Sequence, residues 1–377
     1  MDAYLKLAEK MDRPGDASYL NYLNVLMSPE EAELLVECLI PTTCEQLAKR
    51  LKVNEESLRA KLDDLTRRGL LFKGKTEYVC QYGMHGYFAS LPHLKDKDLP
   101  TSFWRAWTGS FKRDQDNTVA NRIKNLKERG IPQTRLIPSR LAILASPKIR
   151  PEQVLWYEDM AQILAREPVI GVVECDCRRR LQNCDRPLWN CLLFDEVWVE
   201  YELKMDRKTR KLSLEEGIAA SDLAEMGGLL HNAPNFAGMP GGIMCHCCPC
   251  CCGEFKPIFA AGLEQELLAP SRFLAVVDEG LCTGCQECVE RCPFQAIEMQ
   301  KPAGSKKLKA HIINEKCKGC GVCVVGCKQK ALTFELVRPP EHIPSQPPFP
   351  RRILTAEELF STPAQQHGTS QIVRWLK

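Results

Sequence analysis

The chain has 377 residues, 44% hydrophobic and 26% charged, which is ordinary globular usage and length enough for two or three domains. A net charge of +3 is too small to argue for nucleic-acid binding by itself, and no apolar run approaches the roughly 18 residues a membrane helix needs. The anomaly is 21 cysteines in a chain that opens MDAYLKLAEKMDRPGD, without an apolar signal core or a small-residue cleavage site; this argues against a secreted disulfide framework and predicts a reducing, cytoplasmic setting.

In chain order, SPEEAELLVECLI predicts a helix with Ser28 as N-cap, Pro29 at its first position and Leu34, Leu35, Cys38 and Leu39 on its apolar face. Two shorter helices follow, one marked by Leu47 and Leu51, the next by Leu58, Leu62 and Leu65, with Asn54 capping the second and Gly69 stopping it. LLFKGKTEYVCQY then reads as a hairpin. This order resembles a winged helix-turn-helix domain over about residues 28–83. The resemblance implies either DNA binding through the helix from Glu55 to Arg68 or a module used for protein contacts. Glu55, Glu56, Asp63 and Asp64 beside Arg59 and Lys61 make that helix a poor phosphate binder and favour protein contacts. Cys38, Cys44 and Cys80 are expected to be small buried residues.

Residues 100–150 are basic, with Arg105, Lys112, Arg113, Arg122, Lys124, Lys127, Arg129, Arg135, Arg140, Lys148 and Arg150. The run predicts a solvated helix face, with docking to an acidic partner as the alternative, and Trp104 and Trp107 as core or interface anchors. PVIGVVECDC predicts a strand delivering Cys175 and Cys177, CDRPLWNC adds Cys184 and Cys191, and DEVWVEYELKM alternates like a half-buried strand. SLEEGIAASDLAEMGG predicts a helix opened by a capping box from Ser213 to Glu216 and closed by Gly227 and Gly228. LLHNAPNFAGMPGG reads as a loop from its Gly and Pro content.

That loop leads into MCHCCPCCC, where six of the eight positions from Cys245 to Cys252 are cysteine. Adjacent residues of an extended chain point to opposite faces, so Cys250, Cys251 and Cys252 are not expected to serve one site together.

The decisive motif is a repeat. Cys282, Cys285, Cys288 and Cys292 form C-x2-C-x2-C-x3-C, and Cys317, Cys320, Cys323 and Cys327 repeat it at a 35-residue offset that also aligns Gly284 with Gly319 and Val289 with Val324. The region resembles a bacterial-type two-cluster ferredoxin domain over about residues 273–337. The resemblance implies that Cys282, Cys285, Cys288 and Cys327 hold one [4Fe-4S] cluster and that Cys317, Cys320, Cys323 and Cys292 hold the other. Gly284, Gly319 and Gly321 are expected to let backbone amides approach the cluster sulfurs. Pro293 follows the first motif as the family expects, but Lys328 replaces proline after the second and is expected to favour the reduced form of the nearby cluster. A pair of zinc sites is the rival reading, and the doubly repeated spacing does not fit it.

Ten further cysteines lie between residues 175 and 252. Cys175, Cys177, Cys184, Cys191, Cys245, Cys247, Cys248 and Cys250 are the candidate metal ligands there. One or more additional [4Fe-4S] clusters, a zinc ion and redox-cycling thiols all stand open, because soft thiolates suit both metals. Arg178, Arg179 and Arg180 are expected to offset thiolate charge, and His246 to act as a hydrogen-bond donor to the site rather than a ligand.

The order from strand and C-x-C to cysteine block and ferredoxin repeat resembles a group of little-characterised iron–sulfur proteins of anaerobic bacteria and archaea, over about residues 130–335. The predicted fold is α+β: a winged-helix-like domain at 1–90, a mixed cysteine-rich middle domain at 91–272, a two-cluster ferredoxin domain at 273–337, and a proline-rich, extended spacer and tail at 338–377 that drapes over the protein or a partner. Neither a G-x-G-x-x-G opening a βαβ unit nor a P-loop is present. The predicted function is relay of single electrons between partner redox enzymes, such as a flavoprotein or dehydrogenase, with no membrane span. The alternatives are a redox-sensing transcription regulator and a reductase using an upstream iron–sulfur site near His231, Asn232 and His246, and no catalytic residue is assigned.

Overall fold

Reciprocal hydrogen bonds at helix starts organise the N-terminal region of this computed structural model, which describes residues 2–10, 13–80, 118–194, 196–204, 209–238, 243–302 and 307–346. Helices α1 (Ala3–Lys10) and α2 (Ala17–Leu26) come first, α2 being capped by the Asp16 carboxylate. Helix α3 (Pro29–Glu37) opens with a capping box between Ser28 and Glu31, and after the short strand β1 (Thr42–Thr43), α4 (Cys44–Leu51) repeats the device with Thr43 and Gln46. Helix α5 (Glu55–Arg67) is capped by Asn54. Strands β2 (Leu71–Lys73) and β3 (Glu77–Cys80) form the hairpin, and β1 adds to β3 in a three-stranded antiparallel sheet. Leu35, Leu47, Leu58, Leu62 and Leu65 are buried, as are Cys38, Cys44 and Cys80, whereas Leu51 at the end of α4 is 38% exposed.

Residues 118–194 and 210–346 form a second compact unit. Trp104 and Trp107 lie outside the described residues, together with the basic positions before 118. Helix α6 (118–129) precedes β4 (Thr134–Ile137), and α7 (Arg140–Leu144) is capped by Ser139. The basic run is not simply a solvated face. Arg122 is buried and pairs with Glu254 at 2.9 Å, and Arg135 is buried and donates to the Tyr157 carbonyl.

After α8 (Met160–Leu164), the apolar run gives β5 (Ile170–Glu174), followed by α9 (Asp176–Leu181) and β6 (Trp189–Phe194). DEVWVEYELKM is not the strand its alternation predicts. It forms α10 (Glu196–Lys204), which belongs to the first unit. Val199 and Glu202, three apart, are both buried, and the Glu, Leu and Lys content favours a helix over period-2 patterning.

Strand β7 (Arg210–Leu212) leads to α11 (Leu214–Met226), which has the predicted box between Ser213 and Glu216. LLHNAP is a strand, β8 (Leu230–Pro234), and not loop. Leu230 through Ala233 are buried in the sheet, and the glycines that prompted the loop reading all lie beyond Pro234. Strand β9 (Ile243–Cys247) carries the first half of the cysteine block, and α12 (Phe255–Ala260), α13 (Glu264–Leu267) and β10 (Leu268–Ala269) follow. One seven-stranded sheet results, ordered β10-β4-β8-β9-β6-β5-β7, with β10 and β4 parallel and the other pairs antiparallel.

The cysteine repeat builds two small sheets. Strand β11 (Phe273–Val277) pairs with β14 (Leu332–Leu336), and β12 (Ile297–Gln300) with β13 (Lys309–Ile312); the short helices α14 (Glu287–Arg291) and α15 (Val322–Val325) lie between. The 35-residue repeat is written in the backbone. Left-handed φ values recur in register at Gly284 and Gly319, Gln286 and Gly321, and Gln295 and Lys330. The first nine residues past the repeat are not a free spacer: the Arg338 guanidinium donates to the Ser271 and Phe273 carbonyls, Ile343 is buried, and Ala237 N–H donates to the Pro344 carbonyl. Among the described residues, no helix is long and apolar enough to cross a membrane.

Candidate metal centres

Two loops of the repeat fold around two cavities. One is lined by Cys282, Cys285, Cys288 and Cys327, together with Gly284, Val277, Met299 and Leu332. The other is lined by Cys292, Cys317, Cys320 and Cys323, together with Phe294, Ile297, Ile312 and Val322. Each takes three thiols from one motif and the fourth from the other, Cys327 completing the first set and Cys292 the second. Arg291 ties the halves, its guanidinium donating to the Val322 carbonyl and to the Met226 carbonyl of α11.

The two cavities differ in exposure. Cys285 is exposed at the first, whereas Cys320 and Cys323 of the second are buried, and burial pushes both of these thiols above their ordinary range. Four thiols around an apolar cavity fit a metal cluster, because a metal's positive charge is what stabilises their ionised form away from water. Backbone N–H groups already reach the sulfurs: Ala296 N–H lies 3.4 Å from Cys292 Sγ, and Ala310 N–H 3.5 Å from Cys282 Sγ. The glycines have an additional steric duty. A Cβ on Gly284 would meet the Leu308 carbonyl, and one on Gly319 the Phe273 carbonyl and Ser271 Oγ. Lys328 does not bring an uncompensated charge to the first cavity, since its exposed ammonium pairs with Glu287 at 3.0 Å.

Residues 281–331 match the 4Fe-4S dicluster domain family. This segment is a two-cluster ferredoxin domain, and it holds two [4Fe-4S] clusters. The chain is 36% identical over 66 residues to a ferredoxin of Pyrobaculum islandicum, a match covering 18% of this chain and 57% of that protein. It is 41% identical over 58 residues to one subunit of an ion-translocating oxidoreductase complex of Methanosarcina acetivorans, and 56% identical over 36 residues to the corresponding subunit in Escherichia fergusonii. Those matches cover 15% and 10% of this chain and 19% and 18% of the two relatives. No solved structure matches the chain significantly.

Beside the ferredoxin domain, the ten upstream cysteines sort into two groups. Cys247 ends β9, the chain turns at Pro249 and Cys250, and the turn puts Cys250 and Cys251 on the same side as Cys248. The alternation expected of an extended chain does not apply to them. The sulfurs of Cys184, Cys248, Cys250 and Cys251 all lie within 4.8 Å of one another. Cys251 escaped the sequence reading; the proline inside CCPCC was the available signal. Cys252 turns the other way, its thiol 3.1 Å from Cys247 Sγ, with Cys245 hydrogen-bonded to Cys247 as well. Cys175 is hydrogen-bonded to Cys177 and Cys191, and Gly253 N–H lies 3.4 Å from Cys177 Sγ, which joins this second group end to end. Cys247 and Cys252 pack in one core with Cys320 of the ferredoxin domain, and Cys245, Cys292 and Cys317 flank that core.

Of the three arginines expected beside the thiols, Arg178 reaches one. It is 1% exposed, bonds the Pro187 and His246 carbonyls and Asn190 Oδ1, and lies 3.8 Å from Cys248 Sγ. Burial opposes ionisation of Cys248, but the Arg178 charge and hydrogen bonds from Cys250 and Arg178 outweigh it and hold the thiol below its ordinary 9.0. Arg179 pairs with Glu174, and the Arg180 side chain lies outside the described residues.

Both nitrogens of His246 are engaged: Nδ1–H donates to the Asn190 carbonyl, and Nε2 accepts from Ser221 Oγ at 3.4 Å. Burial, with the charges of His231 and Arg178, keeps its pKa well below 6.5, so the ring is neutral. His231 Nε2 lies 2.7 Å from Glu225, and Asn232 Nδ2 donates to Glu254. Sequence reasoning missed Glu225, which also accepts from Ser139 Oγ and the Arg140 and Leu141 N–H groups, because nothing local marks a buried carboxylate in a helix.

Proposed function

We propose that the protein relays single electrons between partner redox proteins, with Cys282, Cys285, Cys288 and Cys327 ligating one cluster and Cys292, Cys317, Cys320 and Cys323 the other. The crossed lining of the two cavities is the observation that carries this reading. Each cubane supplies one-electron chemistry with little rearrangement. The chain sets the order: the cavity with exposed Cys285 faces solvent and meets a partner, and the buried one adjoins the core containing Cys247 and Cys252. In this reading Cys175, Cys177, Cys191, Cys245, Cys247 and Cys252 offer the ligands of an additional cluster and extend the path. Likeness to subunits of ion-translocating oxidoreductase complexes supports a companion of the flavoprotein or dehydrogenase class.

The parts proposed are a winged-helix module within about 1–90, the cysteine-rich region to 272, the ferredoxin region to 337 and a tail to 377, in a cytoplasmic protein of the anaerobe type. The order of α3, β1, α4, α5 and the β2–β3 hairpin supports the winged helix. Ion pairs of Arg59 with Glu55, Arg67 with Asp64 and Lys73 with Asp63 engage three of its cations and support protein contact over DNA binding. Anaerobic reductive titration followed by low-temperature electron paramagnetic resonance tests the relay. Uptake of at least two electrons per chain is expected, and a protein that accepts none is not a relay.

A further inference from the structure

The four thiols gathered around the turn after β9 are spaced unlike those of the ferredoxin domain. Cys184 Sγ lies 3.9 Å from both Cys248 Sγ and Cys251 Sγ, and Cys250 Sγ lies 3.8 Å from Cys251 Sγ. A tetrahedron of sulfurs around one ion, with metal–sulfur bonds of about 2.3 Å, has edges of about 3.8 Å. A cubane instead gives each thiolate its own iron and spreads the four sulfurs further apart. The same structure supplies the comparison: among the described residues, no set drawn from the eight ferredoxin cysteines is held within 4.8 Å as this one is.

We propose that Cys184, Cys248, Cys250 and Cys251 form a closed mononuclear site that binds one Zn²⁺ ion. All four donors are sulfur. Cys248 and Cys251 are fully buried, Cys184 and Cys250 half-buried, and Ala224, Leu229 and Leu181 pack around them, so no coordination place is left for water or substrate. A closed four-thiolate set is the pattern of structural zinc, and for one such set Zn²⁺ outranks Fe²⁺ in affinity. Binding releases the four thiol protons to solvent and leaves a net charge of −2, which the buried Arg178 guanidinium, 3.8 Å from Cys248 Sγ, partly offsets. The ion joins two segments 64 residues apart, the loop after α9 and the turn after β9, which also meet through the bonds from Asn183 Nδ2 to the Cys250 carbonyl and from the Asn183 backbone to Cys251. Its role is to pin the scaffold that presents the remaining six upstream cysteines, and it takes no part in electron flow, so the proposal stands apart from the relay.

Metal analysis of the full chain, purified anaerobically without added zinc chelator, tests it. About one zinc per chain beside the iron is expected, with a zinc K-edge X-ray absorption spectrum showing four sulfurs at about 2.3 Å. In the C184S/C251S variant, zinc should fall at least fivefold while the ferredoxin resonance signals persist. A wild-type protein without zinc, zinc bound by nitrogen or oxygen, iron in the same four-sulfur shell, or a folded variant that keeps its zinc would each overturn the assignment. The wild-type spectrum decides even if the variant fails to fold. Loss of the relay reading would appear as missing ferredoxin iron, which leaves the zinc count untouched.

Discussion

Cys282 and Cys327, 45 residues apart, line one cavity, although each belongs to a different motif of the repeat. The reciprocal exchange puts Cys292 against Cys317, Cys320 and Cys323, so neither half of the domain completes its thiol set alone. A change in one motif should therefore be felt in the other.

Replacing Cys292 by Ser should disturb the cluster whose other three cysteines all lie in the second motif. Iron is expected to fall by up to about four per chain, or by one if the cluster converts to a three-iron form, and the change should be resolved in the resonance spectrum. Loss confined to the cluster of Cys282, Cys285 and Cys288 would contradict the crossed allotment.

Arg178 satisfies three buried oxygens and faces a thiol, so truncation leaves several polar groups without a partner. R178A should destabilise the second unit by about 3 kcal/mol, read as a lower thermal midpoint, with the ferredoxin signals retained at low temperature. A midpoint unchanged from wild type would show that the bonds are not held in solution.

Glu225 links helix acidity to pH. Burial works against its ionisation, but bonds from His231, Ser139 and Leu141 outweigh it and hold the carboxyl below its ordinary 4.5. A depressed carboxyl stabilises the fold above its unfolded pKa, and this contribution is lost as pH falls through the folded value. E225Q should therefore be less stable than wild type at neutral pH by about 1–3 kcal/mol, and the gap should narrow below about pH 4.5. A gap that stays constant from neutral to acid pH would exclude this linkage.

Two glycines separate backbone strain from crowding. Gly319, at φ +63, would drive a Cβ into the Phe273 carbonyl, whereas Gly262, at φ +66, has nothing within 4 Å of that position. G319A should cost well over about 1 kcal/mol and G262A about 1 kcal/mol or less, measured by thermal unfolding. Equal losses would mean that the close approach at Gly319 relaxes freely.

How much of this was legible in the sequence depended on range. The ferredoxin repeat was readable because ligand spacing there is local and occurs twice, and capping boxes at Ser28 and Ser213 marked helix starts for the same reason. Strand β8 was hidden, since the glycines following it dominate its composition, and α10 was hidden because a short alternating run also satisfies i, i+3 spacing. Three of the four clustered thiols, Cys184, Cys248 and Cys250, were legible as ligand candidates, but which cysteines share one site was not. Cys184 meets Cys251 only through the sheet that sets β6 beside β9, and no spacing rule spans that distance.

The proposed relay requires that the ferredoxin domain carry both of its [4Fe-4S] clusters. Iron and acid-labile sulfide, quantified per chain on anaerobically purified protein, test it most directly. At least about eight of each are expected, with an excess of about four if the six remaining upstream cysteines hold a further cluster. A count well below eight, with the chain folded, would contradict it.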